Sequence, residues 1–154
     1  MELKTKIKSE EGKQELFITR EFDLPVELLF KAYEEAEFIE QWMGTKVLEL
    51  ENKNHGSYRF ETTGRDGSKH NFHGVIHEFI PNKKIIRTFE MASAPFGPQL
   101  EFLEFEKMDG QTSRLTMQVI YKSASIKDQQ LKLPFAQGLS MAHDRIEELM
   151  KKSK

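Results

Sequence analysis

Apolar and polar residues along this chain follow two rhythms. From Gln14 to Tyr121, with one early interruption, they alternate with the two-residue period of half-buried strands. In the last stretch, from Ser125 to Lys154, Phe135, Leu139, Ala142, Ile146, Leu149 and Met150 recur at helical spacing on one face. A long amphipathic helix that follows a run of strands has one natural resting place, across the concave face of a curved antiparallel sheet. That packing leaves room for a cavity between helix and sheet.

The first strand is carried by Leu16, Ile18, Arg20 and Phe22, alternating with Phe17, Thr19 and Glu21. Asp23-Leu24-Pro25 then puts a proline at the first turn of a helix bearing Val26, Leu28, Leu29, Phe30, Ala32 and Tyr33. A second short helix is predicted over Ala36 to Trp42, with Gly44 as its C-cap. Six strands follow. They cover Thr45 to Leu50, a run opened by His55-Gly56 in which Tyr58, Phe60 and Thr62 share a face, Lys69 to Ile80, Lys84 to Met91, Leu100 to Lys107 and Thr112 to Tyr121. Turns at Asp66-Gly67, Pro81-Asn82-Lys83 and Asp109-Gly110, and a loop over Ala92 to Pro98, separate them. Leu100 and Phe102 set one phase of their strand while Leu103 and Phe105 set the other, which predicts a β-bulge near Phe102-Leu103. The last helix opens on a capping-box-like Ser125-Ile126-Lys127-Asp128; at Pro134 either the helix kinks, the preferred reading, or a short helix precedes the main one. Residues 1–12 read as a polar lead-in that either frays or extends the first strand. The predicted fold class is α+β, in the order β-α-α-β6-α, with a curved seven-stranded antiparallel sheet around the C-terminal helix. One domain spans residues 1–154.

Composition narrows the function. Charged residues make up 31% of the chain and the net charge is −2, with both signs interspersed, so no footprint for nucleic acid or an anionic membrane is present. There is no cysteine, which excludes disulfides, a thiol nucleophile and a cysteine metal site. The charged start has no apolar core of a signal peptide and no run approaches membrane-spanning length, so a cytoplasmic protein without membrane insertion is expected. Phenylalanine occurs 12 times and methionine 7 times against one tryptophan, the material of a packed core or of a pocket lined with adaptable apolar surface.

Candidate chemistry is sparse. His73 and His77 share a strand face but stand about 13 Å apart at roughly 3.3 Å per residue, too far to hold one ion, so no metal site is expected. Glu101, Glu104 and Glu106, like Glu61 and Glu90 elsewhere, read as a solvated outer sheet face. Glu78 is the exception, because Ile76 and Ile80 are expected on its face. No phosphate loop or nucleophile elbow is present, and no cofactor is expected.

Several local motifs, in their order, resemble a known group. Ile18-Thr19-Arg20-Glu21-Phe22-Asp23-Leu24-Pro25, Leu29-Phe30-Lys31-Ala32-Tyr33, Gln41-Trp42-Met43-Gly44, His55-Gly56-Ser57-Tyr58-Arg59-Phe60 and Phe72-His73-Gly74-Val75-Ile76-His77-Glu78-Phe79-Ile80-Pro81 carry the likeness, with Asp144-Arg145-Ile146 near its end. The chain resembles the START-like (SRPBCC) superfamily, in the branch named for the activator of heat-shock-protein-90 ATPase. That resemblance implies a helix-grip fold with a hydrophobic cavity, and a lipid, sterol, polyketide or other apolar ligand. It also brings two rivals: a cyclase- or hydrolase-type enzyme using a buried polar group such as Glu78, Arg59, His73 or Tyr121, and a chaperone-associated or homodimeric interaction module. The chain carries Trp42-Met43-Gly44-Thr45 where relatives often have Trp-Trp-Gly-Pro, so no ligand identity is carried over. The partner-binding N-terminal domain of the eukaryotic activator has no counterpart here, so no chaperone partner is carried over either.

The expected cavity wall follows from the alternation. Trp42, Tyr58, Phe60, Phe72, Ile76 and Glu78 come from the first half, and Phe89, Met91, Phe102, Met117 and Tyr121 from the later strands. Phe135, Leu139 and Ala142 come from the helix, in which Pro134 and Gly138 are expected to permit a shift that admits ligand. No catalytic residue is assigned.

Overall fold

A computed structural model describes residues 4–132 and 134–153. The chain runs β1 (Lys6–Ser9), β2 (Glu15–Phe22), α1 (Val26–Glu34), α2 (Ala36–Met43), β3 (Lys46–Leu50), β4 (Ser57–Thr63), β5 (Lys69–Ile80), β6 (Lys84–Met91), β7 (Gln99–Lys107), β8 (Ser113–Ile120), α3 (Ala124–Lys132) and α4 (Phe135–Lys152). All strands are antiparallel in one eight-stranded sheet of order β1-β2-β8-β7-β6-β5-β4-β3. The helix-grip architecture expected from the resemblance is therefore present, with one strand more than predicted. The extra strand comes from the lead-in: Lys6 to Ser9 pairs with Thr19 to Leu16, so the early segment is held rather than free. Lys6 and Lys8 line the sheet edge, where charge discourages pairing with another chain.

Local chemistry sets the element ends. Gly44 closes α2 in the left-handed conformation at φ 63°, as its position predicted. The hairpin between β4 and β5 turns at Gly67 with φ 85°, and Asp66 accepts hydrogen bonds from the Ser68 amide and hydroxyl.

Three expectations need correction. β7 pairs without a register shift on both sides, so there is no bulge at Phe102-Leu103. The irregularities lie instead between Val47 and Glu49 of β3 and between Ile76 and Glu78 of β5. The two apolar phases of β7 have another origin: Leu103 and Phe105 face inward, while Leu100 and Phe102 lie on the outer face opposite Ile120 and Ile86. The C-terminal region is two helices rather than one kinked helix, since α3 ends at Lys132 and α4 starts after Pro134; Leu133 lies outside the described residues. The Ser123 hydroxyl, rather than Ser125, caps α3 by accepting from the Ile126 amide.

The inner face packs Leu16, Ile18, Phe22, Tyr58, Phe60, Ile76, Ile85, Leu103, Leu115 and Val119 against Leu29 and Phe30 of α1 and Ile146 and Met150 of α4. Phe30 bridges the layers by edge contacts with Phe79 and Phe105. One glycine is fixed by this packing. A Cβ on Gly74 would stand 2.0 Å from the Thr88 carbonyl oxygen and 2.8 Å from the Tyr58 hydroxyl, because Tyr58 reaches across Gly74 to donate to Thr88 at 2.5 Å. Gly74→Ala should therefore destabilise the protein by about 1–3 kcal/mol in chemical denaturation. A stability equal to that of the parent would show that β5 and β6 are free to separate there.

Candidate functional site

Register and burial sort the sheet into two faces, and the candidate site is the inner one. Across β6, β7 and β8 one row carries Arg87, Glu101 and Val119; the next carries Phe89 and Gln99, with buried Tyr121 just past the end of β8. β5 and β4 continue the surface with Ile76, Phe72, Tyr58 and Phe60. Helices α1 and α2 close one end: Trp42 donates its indole N–H to the Ala32 carbonyl at 2.8 Å, and Tyr33 packs on both Trp42 and Phe105. Arg145 of α4 donates to the Trp42 carbonyl at 3.0 Å, which ties α4 to that closed end.

The other end is less covered. Ile146 and Met150 in the C-terminal half of α4 are fully buried, whereas Phe135, Leu139 and Ala142 in its first half are only partly so. Phe72 and Phe89, stacked with ring centroids 5.3 Å apart, are likewise partly buried although they face inward. The inner face is thus sealed under α1, α2 and the end of α4, and is only partly covered at its other end.

Between the sealed and the less covered parts lies a polar group in an apolar setting. Arg87 Nε donates to Glu101 Oε1 at 2.9 Å, with the two side chains 14% and 7% exposed. Gln99 donates to Glu101 Oε2 at 2.7 Å. The Arg87 guanidinium lies 5.5 Å from the centre of the Tyr58 ring. Burial pushes the hydroxyls of Tyr33, Tyr58 and Tyr121 well above the usual tyrosine range, so all three stay protonated donors; Glu101 acts on each in the same direction. Burial works against the Arg87 charge, but its anionic and phenolic neighbours outweigh it and hold the guanidinium ionised.

The structure places the predicted wall residues unevenly. Tyr58, Phe60, Phe72, Ile76, Phe89, Met91, Met117 and Tyr121 all fall on the inner face, with Phe135, Leu139 and Ala142 packed over it. Trp42 belongs to the closed end, buried between α1 and α2. Two residues are on the wrong side. Glu78 lies on the outer face and pairs with Lys84 at 3.4 Å, because the slip after Ile76 reverses the phase and turns Phe79 inward instead. Phe102 is outward beside Ile86 for the register reason given above. Of the polar groups offered to an enzyme, Arg59 is exposed and His73 points outward to Glu90 at 3.8 Å. Conversely Glu101, expected in solvent, is buried, and Arg87 was not singled out at all.

A second polar cluster pins α4 to β2 on the same inner face. Arg20 is fully buried and pairs with Asp144 at 2.9 Å and with Glu147 at 3.6 Å. Thr5 bonds His143 Nδ1 at 2.7 Å, and the His143 ring meets Phe22 edge-on. Among the described residues, His143 Nε2 has no hydrogen-bond partner although it is sealed.

No helix among the described residues is long and apolar enough to cross a membrane. Comparison with solved structures finds the same fold repeatedly. A crystal structure of a Mycobacterium smegmatis protein superposes with a TM-score of 0.83 at 23% identity, covering 94% of this chain and 95% of that one. A solution structure from Arthrobacter aurescens gives 0.85 at 15% identity over 96% and 91% of the two chains. A crystal structure from Rhodobacter sphaeroides gives 0.83 at 19% identity over 97% and 100%. At such identities the likeness concerns the fold. No curated protein matches the sequence. Residues 23–151 do match the family described as Activator of Hsp90 ATPase homolog 1-like protein, from the turn before α1 to the last turn of α4. The chain belongs to that family.

Proposed function

We propose that this protein binds a small hydrophobic molecule between the inner sheet face and α4, in the cytoplasm and without catalysis. The observation that carries this reading is the set of apolar side chains that point inward yet stay only partly covered: Phe72, Phe89, Phe135, Leu139 and Ala142. A packed core would bury such side chains completely, as it does Ile146 and Met150. Apolar surface gathered on a concave face with a few polar groups at its floor is the usual make-up of a ligand site. The break between α3 and α4 at Pro134 supports admission of ligand at this end.

Native mass spectrometry of the purified protein, followed by organic extraction, tests the reading. One apolar molecule per chain, or thermal stabilisation by members of a panel of fatty acids, sterols and aromatic polyketides, is the expected result. An empty protein that gains no stability from any of them would overturn it.

One observation favours a second reading, a protein-interaction module. The outer face carries Ile86, Leu100, Phe102 and Ile120 in adjacent strands, partly covered, with Phe17 40% exposed beside them. Light scattering that shows self-association, abolished by Phe102→Ser, would support it.

A further inference from the structure

The polar floor of the site has an imbalance that points to the chemistry of its occupant. Both Glu101 oxygens are taken, Oε1 by Arg87 and Oε2 by Gln99. The donors around them are not all used. Arg87 bonds only through Nε; its two Nη groups, and the hydroxyls of Tyr33 and Tyr121, take no partner among the described residues. These atoms are also not fully sealed, in contrast to Arg20 Nη2 and His143 Nε2 over β2 on the same face. Donors are therefore in surplus and acceptors are spent, so the group that fits is an acceptor.

Charge decides which acceptor. Arg87 and Glu101 together are neutral and nearly buried, at 14% and 7% side-chain exposure. A ligand carboxylate would add a second anion beside Glu101 and leave one negative charge unbalanced in an apolar site, at high desolvation cost. An ammonium group would have to displace Arg87 or Gln99 from Glu101. A carbonyl oxygen accepts from the planar guanidinium and a phenol at no change of charge. One and two rows away, the stacked rings of Phe89 and Phe72 present a flat apolar wall to the body that carries it.

We propose that Arg87 and Tyr121 read the carbonyl oxygen of a neutral aromatic ketone or ester held against Phe72 and Phe89. This rests on the binding reading above and names the class of molecule.

Three probes of one shape separate the alternatives. 2-Acetylnaphthalene carries the carbonyl, 2-isopropenylnaphthalene is its planar hydrocarbon counterpart, and 2-naphthoate carries the anion. Titration of each into the purified full chain should give a dissociation constant about tenfold lower for the ketone than for the hydrocarbon, with the naphthoate weakest. In Tyr121→Phe, and in Arg87→Lys, which keeps the charge but loses the planar fork, the ratio of ketone to hydrocarbon affinity should fall several-fold. That ratio is internal to each variant, so a general loss of stability does not imitate the effect. Equal binding of ketone and hydrocarbon by the parent would overturn the proposal and leave the apolar binding site standing. Tightest binding by the naphthoate would overturn it in favour of an anion site. Failure of both neutral probes to bind would count against both readings.

Discussion

Arg87→Met is expected to destabilise the protein by about 3–5 kcal/mol, the largest loss of any single substitution in the site. The reason is that the substitution removes one member of a buried pair and leaves Glu101, 7% exposed, with Gln99 as its remaining hydrogen-bond donor. Glu101→Met should lose less, because the orphaned Arg87 still has Nη atoms that are not fully sealed. The double variant should recover most of the loss, since a neutral apolar pair of similar volume carries no desolvation penalty. Urea denaturation of the four proteins gives the coupling directly. Additive losses would show that the pair is solvated from the inner face and contributes little.

The second large effect is a pH dependence centred on His143. Burial, followed by the nearby Arg20 charge, pushes this imidazole down to about 4, against a small opposing influence of Asp144. Its neutral form is the one that fits beside Thr5 and Phe22. In the unfolded chain the same ring takes up a proton near its ordinary value of about 6.5. The folded state therefore binds fewer protons between those two values. The stabilisation is fully present above pH about 6.5 and is lost as pH falls toward 4, a difference of roughly 3 kcal/mol. Arg20, Asp144 and Glu147 face the same cluster. The measurement is accordingly the difference between parent and His143→Asn in urea denaturation at several pH values. The variant should lose most of the slope between pH 6.5 and 4. Parallel curves would show that His143 accepts its proton without disturbing α4.

Much of this molecule can be read from its alternation. The strands β2 and β4 to β8 announce themselves through paired phases such as Leu115, Met117 and Val119 against Arg114, Thr116 and Gln118. Gly44 and Asp66-Gly67 mark turns whose chemistry admits few other conformations. What escaped the pattern did so for identifiable reasons. β1 carries one inward apolar residue, Ile7, and its stability comes from pairing with β2 rather than from its own sequence. The slip in β5 is written in the three-residue gap between Ile76 and Phe79, but an intervening Glu78 flanked by isoleucines reads as inward until the bulge is known. Glu101 was hidden by its type: a carboxylate in an alternating strand suggests water. Its parity with Leu103 and Phe105, and that of Arg87 with Ile85 and Phe89, is the signal that could have placed the pair inside. His143 likewise shares its helix face with Ile146 and Met150.

The central claim is that apolar molecules are taken up on the inner sheet face under the start of α4. Methionine methyl resonances test it most directly, because the methionines sample both sides. Met91 and Met117 lie on the inner face, while Met108 and Met141 are 44% and 58% exposed outside it. On addition of 2-acetylnaphthalene to the protein labelled with carbon-13 at the methionine methyls, the resonances of Met91 and Met117 should move and saturate together, with those of Met108 and Met141 unchanged. Shifts confined to Met108 and Met141, or no saturable shift at Met91 and Met117, would contradict the account.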